Sequence, residues 1–246
     1  MAEIRVRDLE KSYGGVDALS GLSFEVSAGE LYGFLGPNGA GKTTTIKILT
    51  GQLTPDGGTV EVDGTDPSME PVETRRRVGI LPEDGAPPSF FTPREYFRYV
   101  SRIRCLDDET VADRIATWAD RLGYRGRLDT LCTDLSRGQQ QKVMITQAFL
   151  HEPDVVFIDE PLANLDPLVQ EQVKRFLREY VEADNAVFAS THNIEVAEEL
   201  CTTVGIVADG RLVAERHLES TDEPLLDVFL SEVGEANPQD VPAASR

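Results

Sequence analysis

The chain has 246 residues, 40% of them hydrophobic, which is enough to bury the core of one compact domain carrying a smaller insertion. Its formal charge is −19, from 43 acidic against 24 basic residues, a surface that argues against a nucleic-acid partner held by phosphate neutralisation. No stretch approaches the roughly 18 consecutive apolar residues of a membrane-spanning helix, and the start, Met-Ala-Glu-Ile-Arg, lacks the apolar run of a signal peptide, so a cytoplasmic location is expected.

Short apolar or alternating runs predict the strands. The first three cover residues 4–6, 22–26 and 31–35. The third leads into Gly36-Pro37-Asn38-Gly39-Ala40-Gly41-Lys42-Thr43, which fits the GxxxxGK[ST] phosphate loop and opens a helix through Thr45, Ile46 and Leu49. Glycines let the backbone N–H groups turn inward around phosphates, and the helix N-terminus adds its positive end to the same anion. Lys42 then bridges the β- and γ-phosphates, and the Thr43 hydroxyl ligates magnesium. Residues 36–44, Thr44 included, form the expected nucleotide-binding set.

Further strands are predicted at 59–62, 78–81, 155–158, 187–190, 204–207 and 211–214. Asp209-Gly210 reads as a tight hairpin between the last two, which makes the sheet mixed. The run 155–158 is apolar on both faces, as in a strand covered by helices on each side. Between about residues 87 and 150 helical patterns take over. One helix starts at Thr92, with Pro93 in its first position and Glu95 able to close a capping box; another starts at Ser136, with Gln139 placed for the same device. After about Glu219 the chain turns acidic and Pro/Ala-rich, with no sustained pattern beyond Leu225 to Leu230, which predicts a frayed end. Cys105, Cys132 and Cys201 form no CxxC pair, suit a reducing compartment and read as buried small hydrophobes. Only five basic residues are lysine, and the composition points to a high-salt cytoplasm, where the Debye length falls to about 3 Å and self-repulsion is screened; a merely acidic protein is the plainer alternative.

A phosphate loop alone leaves kinases, GTPases and many motors in play. Leu135-Ser136-Arg137-Gly138-Gln139 resembles the LSGGQ signature of ABC (ATP-binding cassette) ATPases. The apolar run ending in Asp159-Glu160-Pro161 resembles that family's Walker B segment, Ala163-Asn164-Leu165-Asp166 its D-loop, His192 its switch histidine, and Tyr13 its adenine-stacking A-loop aromatic. The resemblance runs from about residue 3 to 216. It implies an α/β fold: a RecA-like P-loop NTPase core with a mixed β-sheet, an antiparallel β subdomain and an inserted α-helical signature subdomain. On this division residues 1–219 form the ATPase domain, with core and β subdomain at 1–86 and 151–219 and the helical subdomain at about 87–150, and residues 220–246 form an acidic extension.

The resemblance also implies the chemistry, ATP hydrolysis with Mg2+. Phosphoryl transfer to water depends mainly on positioning and charge neutralisation. Lys42, Glu160 and His192 would be catalytic, with Glu160 as base and His192 sensing the γ-phosphate; Thr43, Glu83 and Asp159 would hold the metal. Strand alternation is expected to turn Glu160 away from Asp159 and free it from metal duty. Ser136, Gly138 and Gln139 would meet the ATP of a second protomer, and with Arg137, Asn164 and Asp166 they would form the interface of a homodimer.

Two positions depart from the family pattern: Glu83 stands where the Q-loop glutamine is usual, and Arg137 replaces the second signature glycine. Slower hydrolysis or a firmer magnesium demand is expected from Glu83, and altered interface electrostatics from Arg137. Residues 87–91 and the helix after Pro93 occupy the position that receives a coupling helix from a membrane permease, and Tyr96 and Phe97 suit either that groove or the core. The resemblance extends to ABC-2-type exporter ATPases, acting peripherally on the inner face of the cell membrane. The alternatives are a soluble ABC ATPase acting on ribosome or DNA and a nucleotide-binding regulatory scaffold.

Overall fold

The structure, a computed structural model, describes residues 2–162, 165–218 and 223–236. All nine predicted runs match strands, the run 78–81 starting one residue early because Val78 still caps the preceding helix. Strands β1 (Ala2–Tyr13), β2 (Val16–Ser27) and β4 (Gly57–Val62) form an antiparallel sheet in the order β2-β1-β4. β1 and β2 turn at Gly14 and Gly15, both at positive φ, with Tyr13 facing Val16, the two-residue geometry that matches the strand twist.

The second sheet has six strands in the order β5-β6-β7-β3-β8-β9: β3 (Leu31–Leu35), β5 (Gly79–Leu81), β6 (Val155–Asp159), β7 (Ala186–Thr191), β8 (Thr203–Ala208) and β9 (Arg211–His217). Its pairs are parallel except β8 with β9, which turn back at Asp209-Gly210. The sheet is therefore mixed, as the expected α/β architecture requires.

Strand alternation sorts this sheet into two covered faces. Phe157 and Phe188 face the antiparallel sheet, where they pack with Phe24, Tyr32 and Phe34 and with Ile46 and Leu49 of α1 (Lys42–Leu49). Val156, Ile158, Val187 and Ala189 face the helices α3 (Pro93–Ile103), α4 (Asp108–Arg121), α5 (Arg137–Phe149) and α6 (Pro167–Glu182). Phe97, Trp118 and Phe149 are the large side chains there; full burial of one such ring is worth about 3 kcal/mol. Phe97 is thus core, and Tyr96 packs beside it.

Two shorter helices, α2 (Pro71–Arg77) and α7 (Ile194–Leu200), and a last one, α8 (Leu225–Ala236), complete the described fold. α8 lies inside the stretch expected as an extension. It buries Leu225, Val228, Phe229 and Val233, at helical spacing, against β8 and α7. The expected frayed end falls on residues 237–246, outside the described range. Cys132 is buried as expected and Cys201 half-buried, but Cys105 is exposed: it holds a left-handed φ of 57° in the turn between α3 and α4, where no core reaches it.

Candidate nucleotide-hydrolysis site

The strand β3 is buried along its whole length, so its C-terminal end is fixed, and the phosphate loop hangs from it. Gly36 N–H donates to the Thr191 carbonyl (3.3 Å), and Gly210 N–H in the β8–β9 turn donates to the Ala40 carbonyl (3.3 Å). Gly41 has φ 102°, and a Cβ there would stand 2.6 Å from the Ala18 carbonyl oxygen, so neither the conformation nor the space admits a side chain. Gly41 is also the N-cap of α1, and it supplies no side-chain bond to the helix. The first-turn N–H groups of α1 are left facing outward, the arrangement that receives an anion.

Asn38, Gly39, Gly41, Lys42, Thr43 and Thr44 form one wall of a cleft of about 250 Å³; Glu83, Asp159, Glu160 and His192 form the other, with Ala18 at the rim. Lys42 is buried, and its Nζ donates to the carbonyls of Gly36 (2.6 Å) and Pro37 (3.0 Å). Burial lowers the Lys42 pKa, while Glu160, Asp159 and Glu83 pull it back up. Gly36, Pro37 and Ala40 therefore stand behind the wall, holding the loop and the lysine.

The two carboxylates at the end of β6 have different surroundings. Asp159 is buried and accepts a bond from the Ser190 hydroxyl; its pKa is raised by desolvation, opposed by that bond and increased further by Glu160. Glu160 lies one residue past the strand with φ 54°, a left-handed conformation costly for a residue with a side chain. Its direction thus comes from this turn rather than from the strand alternation expected. It is also held: Oε2 accepts from the Thr191 hydroxyl (3.0 Å), and Oε1 accepts from His192 N–H (3.0 Å) and lies 2.5 Å from His192 Nδ1. The Glu83 pKa is raised, first by desolvation and then by Asp159, Glu160 and Asp84.

Other predicted residues lie outside this cleft. Tyr13, half exposed, sits at the end of β1 with the Lys11 ammonium 5.9 Å above its ring. Ser136 and Gln139 close the expected capping box at the start of α5, and Arg137 and Gly138 form its first turn. Arg137 and Glu83, the two departures from the pattern, line one further cavity of about 200 Å³ between the Q-loop and α5. Asp166 caps α6 through Val169 N–H (3.1 Å), and Asn164 is outside the described residues. Ser190 and Thr191 escaped the sequence reading; their strand was legible, but their pairing with the carboxylates depends on the β6–β7 register, which sets Asp159 beside Ser190.

The family description for ABC transporters matches residues 19–163, more than half of the chain. The chain belongs to this family. This ABC ATPase is 35% identical over 216 residues to a Nod factor export ATP-binding protein I of Burkholderia orbicola, covering 87% of this chain and 71% of that protein. It is 34% identical over 212 residues to the daunorubicin/doxorubicin resistance ATP-binding protein DrrA of Streptomyces peucetius, covering 86% and 64% respectively. Among solved structures it superposes on the ATP-binding subunit of an ABC transporter with a TM-score of 0.88 at 29% identity, covering 93% of this chain and 98% of that one. A dimeric, post-hydrolysis ATP-binding cassette bound to ADP and Pi shares the fold, with a TM-score of 0.80 at 22% identity over 89% of this chain and 100% of that one. The ABC ATPase is accordingly the ATP-binding, ATP-hydrolysing subunit of a transporter. Among the described residues no helix is long and apolar enough to cross a membrane.

Proposed function

We propose that the chain hydrolyses ATP as a homodimer on the cytoplasmic face of a separate membrane permease and drives export. The observation that carries this is the single cleft in which Lys42, Asp159, Glu160 and His192 converge, while the Ser136–Gln139 box takes no part in its walls. One chain supplies a phosphate loop and a base; the signature of a second copy would close the site from the γ-phosphate side. Tyr13 lies outside the cleft, where an adenine ring could stack on it.

The residues fit a magnesium ion. Asp159, Glu83 and the Thr43 hydroxyl share the cleft; the pKa values of both carboxyls are raised first by desolvation and then by neighbouring carboxylates, a cost that a divalent cation would relieve. Among the described residues no three or more His, Cys, Asp and Glu side chains are grouped to hold a metal, so oxygens of the nucleotide and water would be needed beside Asp159, Glu83 and Thr43. Bound there, Mg2+ would neutralise charge on the phosphates. Lys42 exchanges its two loop carbonyls for phosphate oxygens, Glu160 takes the proton of the attacking water, and His192 orients Glu160.

Export is supported by the kind of relatives the chain matches, one an export and one a drug-resistance ATP-binding protein. Permease docking is supported by the exposed Phe90 and Tyr99, joined through Phe91 in an aromatic cluster at the helical insertion. The test is sedimentation of Glu160→Gln with ATP and Mg2+ in high salt, followed by affinity purification of the tagged chain from membranes. A trapped dimer and a stoichiometric multi-span protein are expected. A monomer refutes the dimeric site; recovery with ribosomes or DNA moves the ATPase to a soluble role.

A further inference from the structure

Strands β6 and β7 end side by side, β6 in Asp159 with a second carboxylate, Glu160, just past it, and β7 in two consecutive hydroxyls. Asp159 and Ser190 are register partners, and Ser190 donates to Asp159. The ladder extends one bond further, since Glu160 N–H donates to the Ser190 carbonyl (3.0 Å), and the next hydroxyl, Thr191, meets the next carboxylate, Glu160. Each hydroxyl thus takes one acid, and the two acids are kept apart although they are adjacent in sequence.

Thr191 is 1% exposed and does more than its neighbour. Its hydroxyl donates to Glu160 Oε2 (3.0 Å) and accepts from Asn193 N–H (3.1 Å), at the turn that carries His192 into α7. Its carbonyl accepts from Gly36 N–H (3.3 Å), the first residue of the phosphate loop. One buried residue is therefore bonded to the loop, to the carboxylate and to the histidine turn. We infer that Thr191 is a positioning residue for ATP hydrolysis, fixing the Glu160 carboxylate relative to the phosphate loop and to His192. A turn without bonds to its neighbours leaves a left-handed glutamate free to relax, and Glu160 holds φ 54° because both its N–H and its carboxylate are tied to β7.

This inference rests on Glu160 acting as the base, and the experiment separates the two. Steady-state ATPase kcat and KM are measured for Thr191→Val, which keeps the volume and loses the hydroxyl, for Thr191→Ser, which keeps the hydroxyl, and for Glu160→Gln. Displacement of a base by a fraction of an ångström to an ångström costs about 10- to 100-fold in rate. Thr191→Val should lower kcat by that factor with KM within twofold, Thr191→Ser should restore it, and Glu160→Gln should abolish turnover. If Glu160→Gln is inactive while Thr191→Val turns over like the parent, the positioning role is wrong. A Thr191→Ser variant as slow as Thr191→Val, or a loss confined to KM, overturns it equally, because packing rather than the hydroxyl would then be responsible. If Glu160→Gln itself remains active, the reading of Glu160 as base fails first. ATP binding measured on each variant by titration with a fluorescent ATP analogue confirms that the loop has kept its shape.

Discussion

Helices α1 and α5 both begin at a motif read as touching phosphate, yet their N-termini are finished in opposite ways. α1 starts at Gly41, which gives no side-chain cap, and the cleft in front of it is walled by Lys42, Asp159, Glu160 and His192. α5 starts at Ser136, which accepts from Gln139 N–H (3.3 Å) while Gln139 Oε1 accepts from Ser136 N–H (3.0 Å). An uncapped start leaves several donors waiting for an anion; a boxed start is self-sufficient and spends its residual dipole on whatever is brought to it. The difference teaches that the two motifs have unequal claims on the nucleotide: α1 leaves its donors open to an anion, whereas α5 closes its own start and, in the proposed homodimer, would act on the nucleotide of a second chain.

The strongest way to break this comparison is to disable each end in a different copy. Lys42→Ala and Ser136→Arg, assayed separately, should each lose at least about 100-fold in ATPase rate, since the first removes the cation on the phosphates and the second removes the cap hydroxyl and puts a bulky side chain at the start of α5. Mixed in equal amounts, they should partly recover, because a mixed dimer holds one intact loop facing one intact signature. No recovery on mixing, with dimers present by sedimentation, would place both motifs in one site within one chain.

A finer test uses the second capping box in the molecule. Thr92 and Glu95 close the same device on α3 that Ser136 and Gln139 close on α5. Removing either hydroxyl should cost about 1 kcal/mol of stability. Thr92→Ala and Ser136→Ala are therefore expected to melt alike, while Ser136→Ala alone slows ATP turnover. Equal effects on turnover would reduce Ser136 to an ordinary cap.

How much of this was legible in the sequence depended on whether a residue's role was local. The phosphate loop, both boxes and the Asp209-Gly210 turn are short-range devices, and they stand where they were read. β1 was recognised over three residues and runs for twelve, because Asp8 takes a left-handed φ of 48° and the register slips between Val6 and Leu9, which breaks the alternation that announces a strand. α8 was read only as a short pattern from Leu225 to Leu230 amid acidic, Pro/Ala-rich flanks, although Leu225, Val228, Phe229 and Val233 carry a helical spacing. The direction of Glu160 and the parts played by Ser190 and Thr191 needed the pairing of strands about thirty residues apart in sequence, which no local pattern encodes.

The smallest expected effect concerns Glu83, which faces both the nucleotide cleft and the cavity shared with Arg137. Its raised pKa means that its charged form is disfavoured in the folded, metal-free protein. A raised carboxyl contributes stability when protonated and loses that contribution as pH rises through the folded value, so at neutral pH the ionised Glu83 is a cost. Glu83→Gln removes it. Without nucleotide or metal, the variant should melt about 1–2 °C above the parent at pH 7, the modest gain expected for a solvent-screened charge in a chain of this size. The gain should vanish below the ordinary carboxylate range, where both side chains are neutral. Added Mg2+ with nucleotide should reverse the order, since the cation turns the carboxylate from a burden into a ligand. A parent that melts higher than Glu83→Gln at pH 7 without metal would mean that Arg137 already neutralises Glu83 across their shared cavity, and the two departures from the family pattern would then be a matched pair.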